Sequence, residues 1–467
     1  MALRDIPPGT PVVVGQKACP MPHVHEGDRV LPVAEVGELL VLPRAACRAA
    51  EEAVAEARDA FATVSRADPQ AISHFFQAFA AQLADDQIWQ SIAQANEGDV
   101  ARAKVQGRHV GRLTVSAKMR ADMIAGLEGW AKARPRVGEV VERREGDGFR
   151  IERRRAPLGV VAFVFEGRPN VFADGAGVLR NGNTAVMRIG GAALDTALAI
   201  EAGALGPALD AAGLPRGAVR LVRSRDRAAG QALFTLRDVR LAVARGSGPV
   251  VALLGAIAES HGIPASLHGT GGAWIYVEAS ASREQVERVL TSSLDRKVCN
   301  TLNTLVIDEA AVAVHGATVA ATLADLGAVA HVARGGARVL AGAALDEGEL
   351  GHEWEWDERP ELTVCVAAGL DDAAALFNRY SPRFVASILS GRPEALDELY
   401  DRVEAPYVGN AFTRWVDGQW AWGRPELGLT NWERGRLLGR SGFLSGDDIT
   451  TIRDVFIDTT GRAPQHR

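Results

Sequence analysis

Apolar and polar positions change rhythm near residue 157, dividing the chain into a helical first part and a remainder of alternating strands and helices. From Ala45 to Val64 an alanine-rich run with Glu51, Glu52, Glu56, Arg58 and Asp59 has the period of an amphipathic helix, and Pro69 to Leu83 predicts a second. A third starts near Thr114 or Ser116, carries Met119, Met123, Leu127 and Trp130 at helical spacing, and ends before Pro135. Before these, residues 1–44 are proline-rich without a sustained period and predict an irregular N-terminal extension with short strands such as Val12 to Val14.

The segments Glu139 to Arg144 and Phe149 to Arg153 flank Glu145-Gly146-Asp147-Gly148, a turn whose glycines permit positive φ, and so predict a charge-rich β-hairpin. From Pro157 onward apolar runs alternate with alanine-rich helical stretches: Val160 to Phe165, Thr184 to Met187, Val219 to Val222 and Val239 to Ala244. A second series follows at Trp274 to Val277, Leu302 to Ile307, Leu362 to Val366, Ala386 to Leu389 and Tyr407 to Val408. Short apolar strands separated by helices are the mark of βαβ units, so the fold class is α/β with two Rossmann-type parallel-sheet domains.

At 467 residues the chain exceeds one core, and a 47% apolar composition gives each domain enough to bury. A net charge of -6 offers no general attraction to nucleic acid or to an anionic membrane surface, so small soluble substrates fit better than either. Cys19, Cys47, Cys299 and Cys365 form no C-x-x-C pair, which disfavours a disulfide framework and a zinc site. His23 and His25 lack the acidic or thiol partners a metal would need, so no metal is expected. With no basic-then-apolar leader and no membrane-length apolar run, the expected location is the cytoplasm.

Four segments could carry chemistry. Cys299 stands just before the apolar run Leu302 to Ile307, where it is either a small buried thiol or a mounted nucleophile. Arg188-Ile189-Gly190-Gly191 ends a parallel strand, where open α/β sheets bind ligands, and a guanidinium there could take a ribose 2′-phosphate. That tilts the cofactor toward NADPH, with NADH still open. Arg245-Gly246-Ser247-Gly248 follows another strand and opens a helix whose N–H groups could hold a pyrophosphate. His268-Gly269-Thr270-Gly271-Gly272 allows close approach of backbone to a cofactor or substrate.

Taken together, RRRAPLGVVAFVFEGRPNV (Arg153 to Val171), RNGNTAVMRIGG (Arg180 to Gly191), HGTGGAWIYV (His268 to Val277), CNTLNTLV (Cys299 to Val306) and NAFTRWVDGQW (Asn410 to Trp420) resemble the aldehyde dehydrogenase superfamily. Within it they resemble the γ-glutamyl phosphate reductase (glutamate-5-semialdehyde dehydrogenase) branch. The resemblance implies a cofactor-binding domain over 45–138 and 156–267, a catalytic domain over 268–445, and an oligomerisation ribbon over 139–155 and 446–467. It implies a homodimer or homotetramer. It makes Cys299 the nucleophile and gives Arg188, Gly190, Gly191, Arg245, Gly246, Ser247 and Gly248 to the cofactor, together with Gly269, Thr270 and Gly271. Oxyanion donors would be the Cys299 N–H with Asn170 or Arg168. Asn300, Asn303, Asn410, Thr413 and Arg414 would meet the substrate.

Hydrolytic members of the superfamily place a glutamate base where this chain has His268, so the resemblance implies reduction instead. The Cys299 thiolate would attack an acyl phosphate, phosphate would leave, and NADPH would reduce the thioester to an aldehyde. The chain also departs from the branch, with Asn303 where a glutamate is usual, Phe384-Val385-Ala386 in place of a His-Ser-acid motif, and Glu433 near an expected lysine. Six of nine tryptophans fall in the last quarter. These departures imply altered recognition of the acyl group. The alternatives are a reductase of coenzyme A or carrier-protein thioesters and, further off, a non-catalytic cofactor-binding interaction protein.

Overall fold

The helical periods fold where the spacing places them. Arg44–Val64 buries Ala46, Ala50, Ala53, Val54, Ala57, Ala60 and Val64 along one stripe. Pro69–Ala84 starts on Asp68, whose carboxylate accepts the Gln70 N–H at 2.8 Å, and Ala117–Lys132 starts on Ser116, which accepts from Met119 at 3.1 Å. The chain is described here from a computed structural model covering residues 6–107, 110–111, 113–165, 169–417, 421–432, 442–446 and 449–459. It divides into two compact units, 1–267 with 424–428 and 444–467, and 268–423 with 429–443.

In the first unit a five-stranded sheet runs in the order Ala265–His268, Val239–Arg245, Val160–Phe165, Thr184–Ile189, Val219–Leu221, and the last four strands pair in parallel. Val160–Phe165 and Thr184–Ile189 are buried at every position, as expected of strands covered by helices on both faces. The earliest strand, Val160–Phe165, has the second strand on one side and the fourth on the other. Strand order therefore reverses between Val160–Phe165 and Val239–Arg245, and the carboxyl ends of strands at such a reversal are where open α/β sheets form a ligand crevice.

The N-terminal segment is more regular than its sequence suggests. Pro11–Val14 pairs with Lys17–Pro20, and Arg29–Val33 with Glu38–Leu42. Val33 and Leu42 join a core cluster with Cys47 and Val54, so the second hairpin is part of the unit's packing. Val140–Gly146 and Phe149–Pro157 meet at an Asp147-Gly148 turn with Gly148 at φ 80°, and Thr450–Asp458 adds a third antiparallel strand. The helical stretch Gly191–Ala211 is long and apolar enough to cross a membrane by composition, but most of it is buried in this unit's core.

The second unit carries a seven-stranded parallel sheet in the order Ala343–Ala344, Val329–Val332, Glu361–Ala367, Leu302–Asp308, Ala273–Val277, Val385–Leu389, Tyr407–Gly409. Leu305 and Ile307 face one core cluster and Val306 the other, so Leu302–Asp308 is a central strand sealed on both faces. Cys299 lies three residues before it.

Candidate active site

In the second unit the turn before Leu302–Asp308 is built by Thr301. Its hydroxyl donates to the Arg296 carbonyl at 2.7 Å and accepts the Val298 N–H at 2.9 Å, while its own N–H donates to the Val298 carbonyl at 3.1 Å. This knot leaves Cys299 half-buried against Ala273, Phe384 and Tyr407. Burial raises the thiol pKa at Cys47 and raises it at Cys365 to about 12, which makes both poor nucleophiles at neutral pH. Cys19 donates its thiol to the Gly37 carbonyl at 3.1 Å in a hairpin.

The glycine loop forms the bed of the cysteine turn. Gly272 donates its N–H to the Cys299 carbonyl at 2.7 Å, and a Cβ at Gly271 would stand 2.7 Å from that oxygen and 2.8 Å from the Cys299 Cα. Gly272 itself sits at φ 106°, where side chains are strained. Asn431 holds the loop from outside: its amide donates to the Thr270 and Pro382 carbonyls, each at 2.9 Å, and its oxygen accepts the Gly269 N–H at 3.3 Å. His268 faces Phe384 with ring centroids 5.9 Å apart. Gly271, one of the three loop residues (Gly269, Thr270 and Gly271) expected to meet the cofactor, thus backs onto the Cys299 backbone.

Several residues expected to meet the substrate also make bonds within the fold. Asn303 is 2% exposed; its amide donates to the His352 carbonyl at 2.7 Å and its oxygen accepts the Trp354 N–H at 2.9 Å. Asn300 is buried, donating to the Val416 carbonyl and accepting from Arg414 Nε at 2.9 Å. Thr413 is fully buried, and Asn410 is exposed at the end of Tyr407–Gly409. Each buried amide thus satisfies backbone or a buried side chain. Arg414 differs. Its guanidinium also pairs with Asp295, burial lowers its pKa, and its charge is coupled to that of Cys299. It lines a cavity of 860 Å³ with Phe412, Asp417, Asp295, Arg296 and Arg288.

Sequence reasoning missed Lys297, Glu353 and Asn431. Lys297 lies two residues before Cys299, but its partner Glu353 is 56 residues away, so no local pattern joins them. Arg168, Trp420 and Glu433 lie outside the described residues.

In the first unit the crevice at the strand reversal is bordered by Asn170 and by Gly246 to Gly248. Asn170 Oδ1 is a buried acceptor with no hydrogen-bond partner among the described residues. Ser247 caps Gly248–Ser260 without spending its hydroxyl on the helix, and Pro249 follows in the first turn, so the leading N–H groups point out of the helix end. Arg188 is 9% exposed on the neighbouring strand; burial lowers its pKa, its Nη2 donates to the Arg225 carbonyl at 3.4 Å, and its Nε has no partner among the described residues. Two of the expected cofactor contacts also meet protein groups. Gly191 is closed off by Arg225, whose carbonyl would lie 2.5 Å from a Cβ there. Arg245 is tied within its own unit to Asp174 at 3.5 Å and to the Leu427 carbonyl at 3.2 Å.

A cysteine turn at the head of a central parallel strand, bedded on a glycine loop, accompanies a separate α/β unit with a phosphate-type helix start, and the sequence matches the aldehyde dehydrogenase family model over residues 28–335. The chain belongs to the aldehyde dehydrogenase family and is an oxidoreductase of α/β fold. The curated proteins it resembles are γ-glutamyl phosphate reductases: one from Rhizobium johnstonii is 31% identical over 68% of this chain and 75% of its own length. One from Anaeromyxobacter is 33% identical over 80% of this chain and 87% of its own. A solved γ-glutamyl phosphate reductase from Thermotoga maritima shares the fold with a TM-score of 0.81 at 24% identity, covering 89% of this chain and all of that one.

Proposed function

We propose that this protein reduces an acyl phosphate, γ-glutamyl phosphate or a related one, to its aldehyde with NADPH, through a thioester on Cys299. The reading is carried by the setting of Cys299: a half-buried thiol on a knotted turn with His268, not a carboxylate, on the adjoining loop. Glu353 does border that loop, but its two oxygens are engaged by Lys297 at 3.0 Å and the Gly271 N–H at 2.8 Å. A carboxylate so held is a poor base for activating water, so an acyl group on Cys299 is protected from hydrolysis.

The Cys299 thiolate attacks the acyl carbonyl carbon, a C–S bond forms, and the C–O bond to phosphate breaks with its electron pair leaving on phosphate. A reduced nicotinamide, held by residues of the first unit, would supply the hydride that converts the thioester to a hemithioacetal, whose C–S bond then breaks to release the aldehyde. Cys299 then leaves as thiolate, ready for another turnover. Arg414, coupled in charge to Cys299, favours the ionised thiol. The first unit's contribution is to bind and orient the dinucleotide: Ser247 and the first N–H groups of Gly248–Ser260 suit a pyrophosphate, and Asn170 offers a buried amide oxygen at the crevice. Arg188, a buried guanidinium on the strand next to the crevice, supports NADPH over NADH.

The test is aldehyde-dependent NADP reduction, scored with and without phosphate across glutamate-5-semialdehyde and other aldehydes. Phosphate-dependent turnover, abolished in Cys299→Ser with folding intact, is expected. Dependence on coenzyme A in place of phosphate overturns the acyl phosphate assignment.

A further inference from the structure

Cys299 lies beside an ion pair that the reaction as proposed does not use. Lys297 has 8% of its side chain exposed and Glu353 22%, and they meet at 3.0 Å. The other Glu353 oxygen accepts the Gly271 N–H at 2.8 Å. A Cβ on Gly271 would stand 2.6 Å from Glu353 Oε1 and 2.8 Å from the Cys299 Cα, so the carboxylate and the Cα are no more than the sum of these, 5.4 Å, apart. The backbone that carries Glu353 is held on both sides by Asn303, at the His352 carbonyl and the Trp354 N–H, and its carboxylate by Lys297 and the Gly271 N–H. Trp354 is fixed in turn, its indole donating to Thr363 at 2.9 Å and lying on the His331 ring at 3.5 Å.

We propose that Lys297 and Glu353 are positioning residues for the nucleophile: a compensated ion pair, locked in place by Asn303, that sets the electrostatic field at the Cys299 thiol. The inference rests on the reading of Cys299 as the nucleophile. A carboxylate this close opposes ionisation of the thiol, an ammonium promotes it, and in the intact pair the two nearly cancel. The other charges facing the turn are Arg414, coupled to Cys299, with Asp295, Arg296 and Asp417 around it, and Glu355, which is 65% exposed and 4.0 Å from Lys297. All of these stay in place when the pair is altered, and His268 remains on the adjoining loop.

The experiment is the rate of iodoacetamide alkylation at Cys299 against pH, followed on its peptide by mass, in the full chain. Lys297→Met leaves Glu353 unopposed and should move the profile up by about one pH unit, slowing alkylation at neutral pH by roughly tenfold. Glu353→Gln should move it down by a similar amount, and the double variant should return close to the parent. Lys297→Gln replaces Lys297→Met if the latter does not fold. A structural role alone would not produce opposite shifts that cancel. Folded single variants whose profiles stay put, or move in the same direction, overturn the proposal. Turnover retained in Cys299→Ser is a separate result, which overturns the nucleophile assignment on which the proposal rests.

Discussion

Gly271→Ala is the sharpest probe of the bed beneath Cys299, the nucleophile of the proposed reaction. The added methyl would meet three atoms inside 3.0 Å: Glu353 Oε1 at 2.6 Å, the Cys299 carbonyl oxygen at 2.7 Å and the Cys299 Cα at 2.8 Å. The carboxylate can rotate, but the other two are backbone in a turn already knotted by Thr301 and tied to Gly272 at 2.7 Å. Reaching an ordinary contact of 3.4 Å requires the Cys299 backbone or the glycine loop to retreat by about 0.6–0.7 Å. Misplacing a reacting group by roughly 1 Å costs about 100-fold in rate, so kcat should fall roughly 30- to 100-fold. The stability loss should stay near 1–3 kcal/mol, the usual cost of overpacking, and leave the chain folded. The assay pairs kcat for phosphate-dependent NADP reduction with urea unfolding. A folded Gly271→Ala protein with kcat within about twofold of the parent would refute the reasoning, because it would show that the loop does not register the cysteine.

Gly316→Ala provides the opposite case. A Cβ there meets nothing within 4 Å inside Val312–Asp325, so unfolding by urea should show a gain of about 0.5–1 kcal/mol. Its neighbour His315 is 2% exposed with neither ring nitrogen hydrogen-bonded among the described residues, and His315→Leu should raise stability by about 1 kcal/mol in the same measurement. On the ribbon, Ile452 and Phe456 are 45% and 54% exposed, and Phe456→Asp with Ile452→Asp should reduce the mass measured by light scattering if that face joins copies of the chain. Burial raises the Cys365 thiol to about 12, so it should stay protonated and unalkylated from pH 7 to 10 until the chain unfolds, while Cys299 reacts in the native state.

Both parallel sheets were legible because their strands are apolar runs that no surface could tolerate. The helix Asp86–Val105 was not: the face it buries presents Asn96 and Asp99 alongside Ile92 and Ala103, so hydrophobic periodicity has little to report. Asn96 repays its burial by donating to the Leu113 carbonyl at 2.9 Å and Asp99 by accepting from Thr196 at 2.8 Å, contacts that exist only once the chain has folded. The short strands Ala265–His268 and Val329–Val332 escaped notice for want of length. At the site, Cys299 and the glycine loop could be found because their chemistry is local. Glu353 and Asn431 could not, since they reach that loop from 82 and 161 residues away.

Asn303 shows how a departure in sequence can change meaning once its surroundings are known. Read alone, an uncharged residue four places after the cysteine suggests a substrate lacking the usual partner. In the fold that position is 2% exposed, with the His352 carbonyl on one side and the Trp354 N–H on the other. Only a side chain that both donates and accepts satisfies the two, and an ionised carboxylate would face the His352 oxygen with no proton to offer it. Burying that charge beside Glu353 would add like-charge repulsion to the cost of desolvation. Asparagine is therefore what this local backbone requires, whatever the acyl group. A test of acyl-group recognition is therefore better aimed at Arg414, which lines the 860 Å³ cavity and is coupled in charge to Cys299.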